Sequence, residues 1–227
     1  MTLDAGDAGD VADLTLAELR LALAPHIADA AIFDGWSDAA VAMAADQIGA
    51  DPDVARLAFR DGGAMGMIAA WIDGVDRAMA AALPPEHLAD LKIRERIRRL
   101  VKFRLDAIAG QEEAVRRAMA IMAMPQNVAA GLRLGWRSAD VMWRLAGDTA
   151  TDYNHYTKRA LLASIYAATL AVYVGDDSEG KRETDAFLAR RINGVMRFEK
   201  LKAQFVNPER ERFSIARFLG RLRYPAR

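Results

Sequence analysis

Between Arg159 and Asp176 the chain reads ALLASIYAATLAVYVG, sixteen residues without a charge. Apolar side chains fall on every face of a helix over 160–174, so that helix has to be covered on all sides. It is shorter than the roughly 20 residues of a bilayer-crossing helix. The expectation is a buried central helix in a bundle. Its small residues Ala163, Ser164, Ala167 and Ala168 leave room for a ligand on one side or a second copy of the chain on the other, and the sequence leaves both open.

The remainder fits a bundle. Apolar residues make up 52% of the 227 positions, enough for a sizeable core. Ala, Leu, Arg and Met are abundant, and no run alternates apolar and polar β-branched residues, so the class is all-α. About ten helices are expected: 15–32 interrupted by Pro25, 37–48, 51–59, 64–82, 87–109, 111–124, 133–146, 152–174, 181–204 and a last one after Asn207–Pro208. Ser37 and Asp51 are N-caps, Gly49 is a stop, and Pro52 stands at a first helical position.

Charge is unevenly placed. Residues 1–60 carry eleven acids and three bases, whereas residues 181–227 carry thirteen bases and five acids. The acidic residues 1–12 read as a disordered tail without a leader sequence. Without cysteine, a metal would have to be held by His and carboxylates. Residues 35–59, within a helix-turn-helix-like part at 13–62, have the outline of a helix-turn-helix, which at the head of an all-helical chain of this length suggests the architecture of TetR-type repressors. Yet 34–60 contain five aspartates against Arg56 and Arg60, a net charge of about −3, and phosphate binding requires the opposite sign. No nucleic-acid partner is expected.

Two segments, MPQNVAAGL (124–132) and MWRLAGDTATDYNHYTKRALLASIY (142–166), resemble the lipid-binding accessory family of ubiquinone biosynthesis, the Coq-nine family. The similarity runs from about residue 14 to 205. The resemblance implies a TetR-like fold without DNA binding, an apolar lipid pocket within 13–206 and a homodimer. It implies no enzymatic activity and no cofactor. It also implies a peripheral place on the inner membrane from the cytoplasmic side, and delivery of an isoprenoid lipid or quinone precursor to a pathway hydroxylase. A TetR-type regulator with a lipophilic effector is the alternative.

Individual residues carry these expectations with competing readings. Asp148, Asp152 and His155 share a helical face, and Asp152-x-x-His155 has a metal-binding spacing. A di-iron bundle needs a second such motif, which is absent from the sequence. The set is read as a helix entry, with Asp148 or Thr151 as cap and Lys158 and Arg159 reaching Asp148 or Asp152. Met119, Met122, Met124, Pro125, Leu162, Ile165 and Tyr166 are candidates to line a pocket that takes a prenyl tail, or are ordinary core. By the resemblance Asp140, Trp143 and Arg144 form the face that docks the hydroxylase, with Leu145 where the family carries tyrosine; read alone, Trp143 is core. Within 207–227, Ile215, Phe218, Leu219 and Leu222 form an apolar stripe. Arg217 and Arg221 face away from it, the pattern of a helix lying on an anionic membrane. A helix docked on its own domain shows the same spacing.

Overall fold

The computed structural model describes residues 11–149 and 153–205. The expected membrane helix at 207–227, with Ile215, Arg217, Phe218, Leu219, Arg221 and Leu222, lies outside the described residues, as do Thr151, Asp152 and the tail up to residue 10. Among the described residues there are ten α-helices and no strand. The chain divides into two compact units, Met1–Ala189 and Arg190–Arg227.

The first unit opens with α1 (Leu16–Asp34), α2 (Asp38–Ile48) and α3 (Pro52–Phe59). Local chemistry sets their ends. The Thr15 hydroxyl accepts from the Glu18 backbone while the Glu18 carboxylate accepts from the Thr15 backbone, a reciprocal cap. Ser37 and Asp51 cap α2 and α3 as expected, and Gly49 ends α2 in the left-handed conformation. Pro25, expected to interrupt α1, lies inside it. Its ring removes one backbone donor, but Leu23, Ala24, Ile27 and Ala28 around it are fully buried against α2 and α4. Packing outweighs the local penalty of about 3 kcal/mol.

The body follows with α4 (Gly63–Ala82), α5 (Pro85–Leu88), α6 (Ile93–Asp106), α7 (Glu112–Ala123), α8 (Val128–Leu145), α9 (Tyr153–Tyr173) and α10 (Arg182–Phe205). The single helix expected over 87–109 is two. The break at 89–92 is held by Arg96, whose guanidinium donates to the carbonyls of Leu91 (2.8 Å), Ala89 (2.7 Å) and, from the end of α8, Ala146 (2.9 Å). One side chain thus satisfies backbone acceptors at two helix ends. Helix α8 begins five residues before the expected 133. The turn at Met124–Asn127 is closed by the Asn127 amide donating to the Ile121 carbonyl at 2.9 Å, and Gly131 lets α8 approach α7, where an added Cβ would stand 3.1 Å from that of Met122.

Helix α9 packs on α6, α7 and α8. Leu162, Ile165, Tyr166, Thr169 and Tyr173 on it are buried, whereas Ala160, Leu161, Ser164, Ala167 and Ala171 are exposed in the chain. The start of α10 is capped from outside. Buried Asp176 accepts from the backbone N–H and hydroxyl of Thr184 (2.8 and 2.7 Å) and from those of Ser178 (2.9 and 2.5 Å). Burial would raise the Asp176 carboxyl, but these four donors outweigh it and hold it well below the usual carboxylate range. In the second unit the described residues continue α10 to Phe205.

Candidate functional site

Helices α4, α6, α7, α8 and α9 enclose a cavity of about 150 Å³. Its wall is apolar over most of its extent. Trp71 and Ile72 come from α4, Val115 and Met119 from α7, Leu134 from α8 and Leu170 from α9. An apolar cavity of this size is large enough for a benzene-sized guest.

One charged side chain breaks the lining. Arg104, on α6, is 3% exposed and faces the cavity. Its Nη1 donates to Asp76 on α4 in a very short contact, and Asp76 also accepts from the Ser138 hydroxyl of α8 at 2.8 Å. The guanidinium carbon lies 4.8 Å from the Tyr166 ring centroid, over its face. Arg104 Nε is buried and makes no hydrogen bond. A buried N–H without an acceptor is costly, so the polar group here is incompletely satisfied.

The sequence carried a signal for this pair. Arg104 belongs to the charged stretch KIRERIRRLVKFR, but it stands seven residues after Ile97 and completes the stripe Ile97, Leu100, Val101, Arg104, all buried. Asp76 likewise continues the inward stripe of α4 between Ile72 and Met79. A charge at an inward register position marks a buried pair or a site.

The candidate pocket residues separate. Met119, Met122 and Tyr166 line the cavity. Leu162 and Ile165 are buried on α9 but are not part of its wall. Met124 and Pro125 are exposed at the α7–α8 turn.

The stretch 147–166 builds a second polar cluster. Arg159, 2% exposed, donates to Asp140 (2.6 Å) and Asp148 (3.0 Å), and also to the His155 carbonyl at 3.1 Å. Lys158 donates to Asp148 at 2.6 Å, and Arg144 pairs with Asp140 in a very short contact. Burial alone would raise the Asp148 carboxyl; Lys158 and Arg159 more than offset it, so it titrates below the usual range. Both Asp148 oxygens are engaged by cations, which makes it a poor metal ligand, and among the described residues no group of three His or carboxylate side chains could hold a metal ion. The Asp148 carboxylate accepts from the Lys158 and Arg159 side chains; the helix-entry cap expected of Asp148 or Thr151 involves residues 150–152, which lie outside the described residues.

The face expected to dock a partner lies on this cluster. Trp143 is half-buried, its indole N–H donates to the Lys158 carbonyl at 3.0 Å, and Lys158 Nζ stands 5.4 Å from its ring centroid. Asp140 is tied to Arg144 and Arg159, and the Arg144 side chain is otherwise exposed. Leu132, at 71% exposure, and Tyr156, at 61%, project nearby in sequence from α8 and α9. Arg56 on α3 pairs with Asp53 at 2.9 Å and Arg60 with Asp61 at 3.6 Å on an exposed surface, so both cations of that helix region already face a carboxylate.

Among the described residues no helix is long and apolar enough to cross a membrane. The COQ9 family model matches residues 128–199, which span α8, α9 and most of α10. A mitochondrial ubiquinone biosynthesis protein COQ9 from Homo sapiens is 32% identical over 169 residues, covering 71% of this chain and 52% of the human one. The Rattus norvegicus protein of the same name is 33% identical, covering 71% and 54%. The chain thus spans about half the length of the curated relatives it matches. In fold it is similar to the crystal structure of a TetR transcriptional regulator from Nitrosomonas europaea, with a TM-score of 0.58 and 23% identity, covering 77% of this chain and 96% of that one.

Proposed function

This chain belongs to the COQ9 family, and on that premise we propose that it serves ubiquinone biosynthesis as a non-catalytic carrier. It binds a prenylated quinone precursor in the cavity among α4, α6, α7, α8 and α9 and presents it to a pathway hydroxylase docked on the Asp140, Trp143 and Arg144 face. Residues 207–227 rest on an anionic membrane surface and bring the cavity to its lipid. Two copies pair as a homodimer. The observation that carries the reading is the apolar cavity itself, in a chain whose relatives bear that biosynthetic name.

The ion pair at the cavity, Arg104 with Asp76, is neutralised internally, which favours holding over bond-making chemistry. A regulator of the TetR type would share the fold. Against it stands the acidic surface of α2 and α3, where phosphate contacts would fall.

Native mass spectrometry with lipid extraction tests the carrier reading. Purified protein should release a polyprenylated quinone or its precursor in stoichiometric amount. Protein that co-purifies with no prenylated lipid, and takes none up from vesicles, would sink it. Cutting the chain after residue 206 should abolish co-sedimentation with anionic vesicles; undiminished co-sedimentation removes the membrane role of the tail.

A further inference from the structure

A second recess shares no lining residue with the apolar cavity. It is an open groove of about 480 Å³ where α1, the end of α3, the α3–α4 turn, α4 and α8 meet. We infer that this groove binds a phosphate monoester carried on a slim apolar chain. The inference goes beyond the carrier reading and does not depend on it.

The charge of the groove runs against that of its surroundings. Residues 1–60 carry eleven acids and three bases. Of those bases, Arg56 and Arg60 face Asp53 and Asp61. The third, Arg20, lines the groove and has no carboxylate partner among the described residues; its Nε donates to the Ala58 carbonyl in a very short contact. Two further arginines line the same groove, Arg77 from α4 and Arg137 from α8, and they share one carboxylate, Asp73, at 3.0 and 3.4 Å. The other acid of the lining, Asp61, is engaged by Arg60. Three guanidinium groups therefore stand against one carboxylate, an excess of two positive charges. A phosphate monoester carries about −1.5 to −2 at neutral pH and presents several strong acceptor oxygens, so it balances that excess.

A ligand oxygen can reach these donors. The side chains of Arg77 and Arg137 are 66% and 64% exposed, and Arg20 is exposed as well. Arg77 meets Asp73 through Nε and Arg137 meets it through Nη2, which leaves further N–H groups on each guanidinium.

The floor of the groove decides what carries the phosphate. Ala17 and Leu21 of α1 and Gly66 and Ala69 of α4 line it, each with surface open to solvent. An added Cβ at Gly66 would meet only Phe59 Cδ1, at 4.0 Å, so a chain can lie there. The aromatic ring of the lining, Phe59, is buried and offers no face for a nucleobase to stack on. A polyanion would extend onto the aspartates of α2 and α3, which repel it. A single phosphate on a hydrocarbon chain meets neither obstacle.

The test uses the full chain and three probes, each below its micelle-forming concentration: octyl phosphate, octanol and inorganic phosphate. Calorimetry should give octyl phosphate an affinity about tenfold or more above that of either other probe. Octanol binding as tightly removes the anion from the reading, inorganic phosphate binding as tightly removes the chain, and either result overturns the inference. In the double variant Arg20→Gln with Arg137→Gln, two changes of exposed side chains, affinity for octyl phosphate should fall about tenfold, or roughly threefold for each exposed ion pair lost. Undiminished affinity overturns the inference. Gly66→Leu puts a side chain on the groove floor and should abolish binding with thermal unfolding unaltered. Octyl phosphate that still binds this variant sits elsewhere, as in the apolar cavity, and refutes the location. The probe comparison and the arginine variant keep the test standing if Gly66→Leu does not fold.

Discussion

Arg104 and Arg159 are both buried arginines on helices, each paired to aspartate across a helix interface, yet their surroundings differ in kind. Arg159 meets two carboxylates and a carbonyl, and its partners are engaged in turn by Lys158 and Arg144. Arg104 meets one carboxylate and an aromatic face, and its buried Nε has no acceptor. A buried charge contributes to a single fixed geometry when its hydrogen bonds are complete. The α8–α9 cluster is a structural joint; the α4–α6–α8 group borders the apolar cavity that we propose as a ligand site.

Arg159→Met should break the joint with the largest effect. It leaves Asp140 and Asp148 with only their outer cations, and unfolding by urea should show a loss of about 3 kcal/mol. The double variant at Asp76 and Arg104, which removes both charges of the other pair, should cost clearly less. If the two losses are equal, the contrast between joint and site fails.

Gly147→Ala comes next. Gly147 has φ of 86°, where side chains are disfavoured, and an added Cβ would stand 3.1 Å from Arg96 Nη1. The expected loss is about 1–2 kcal/mol in thermal or urea unfolding. A neutral result would mean that the α8 end relaxes and that Arg96 does not fix it.

Acid pH sharpens the comparison with the smallest effect. Asp148 is held below the usual carboxylate range in the folded chain, so the folded state binds fewer protons than the unfolded one as the carboxyl titrates. Its contribution is complete above about pH 4, the unfolded value, and is lost as pH falls through the lower folded value. Asp176 is depressed too, so the readout is a difference. Urea midpoints between pH 5 and 3 should fall less steeply in Asp148→Asn than in the unaltered chain. Parallel profiles would remove Asp148 from the joint.

Where an element is decided by its own few residues, it was legible. Ser37, Gly49, Asp51 and Pro52 set the ends of α2 and α3 through hydrogen bonds and backbone preferences spanning three or four positions. Where a distant partner decides, it was not. The break between α5 and α6 depends on Arg96 reaching across to Ala146, fifty residues on, and no glycine or proline marks it. Pro25 stays in α1 because α2 and α4 press on that stretch. The same division runs through the site. The ion pairs of Asp148 with Lys158 and Arg159 follow from residues close in sequence, whereas Arg104 stands in a charged stretch and only its place in an apolar stripe sets it apart. Its partner Asp76, and the Ser138 hydroxyl that donates to Asp76, come from two other helices, and their convergence is a property of the bundle.

Trp71 has a consequence of its own. Its ring lies in the cavity wall and 5.3 Å from that of Trp36, whose N–H donates to the Ala114 carbonyl at 3.0 Å. The protein therefore carries an optical reporter next to its cavity: a guest bound there would alter the surroundings of the Trp36–Trp71 pair, and emission intensity would report occupancy without any label.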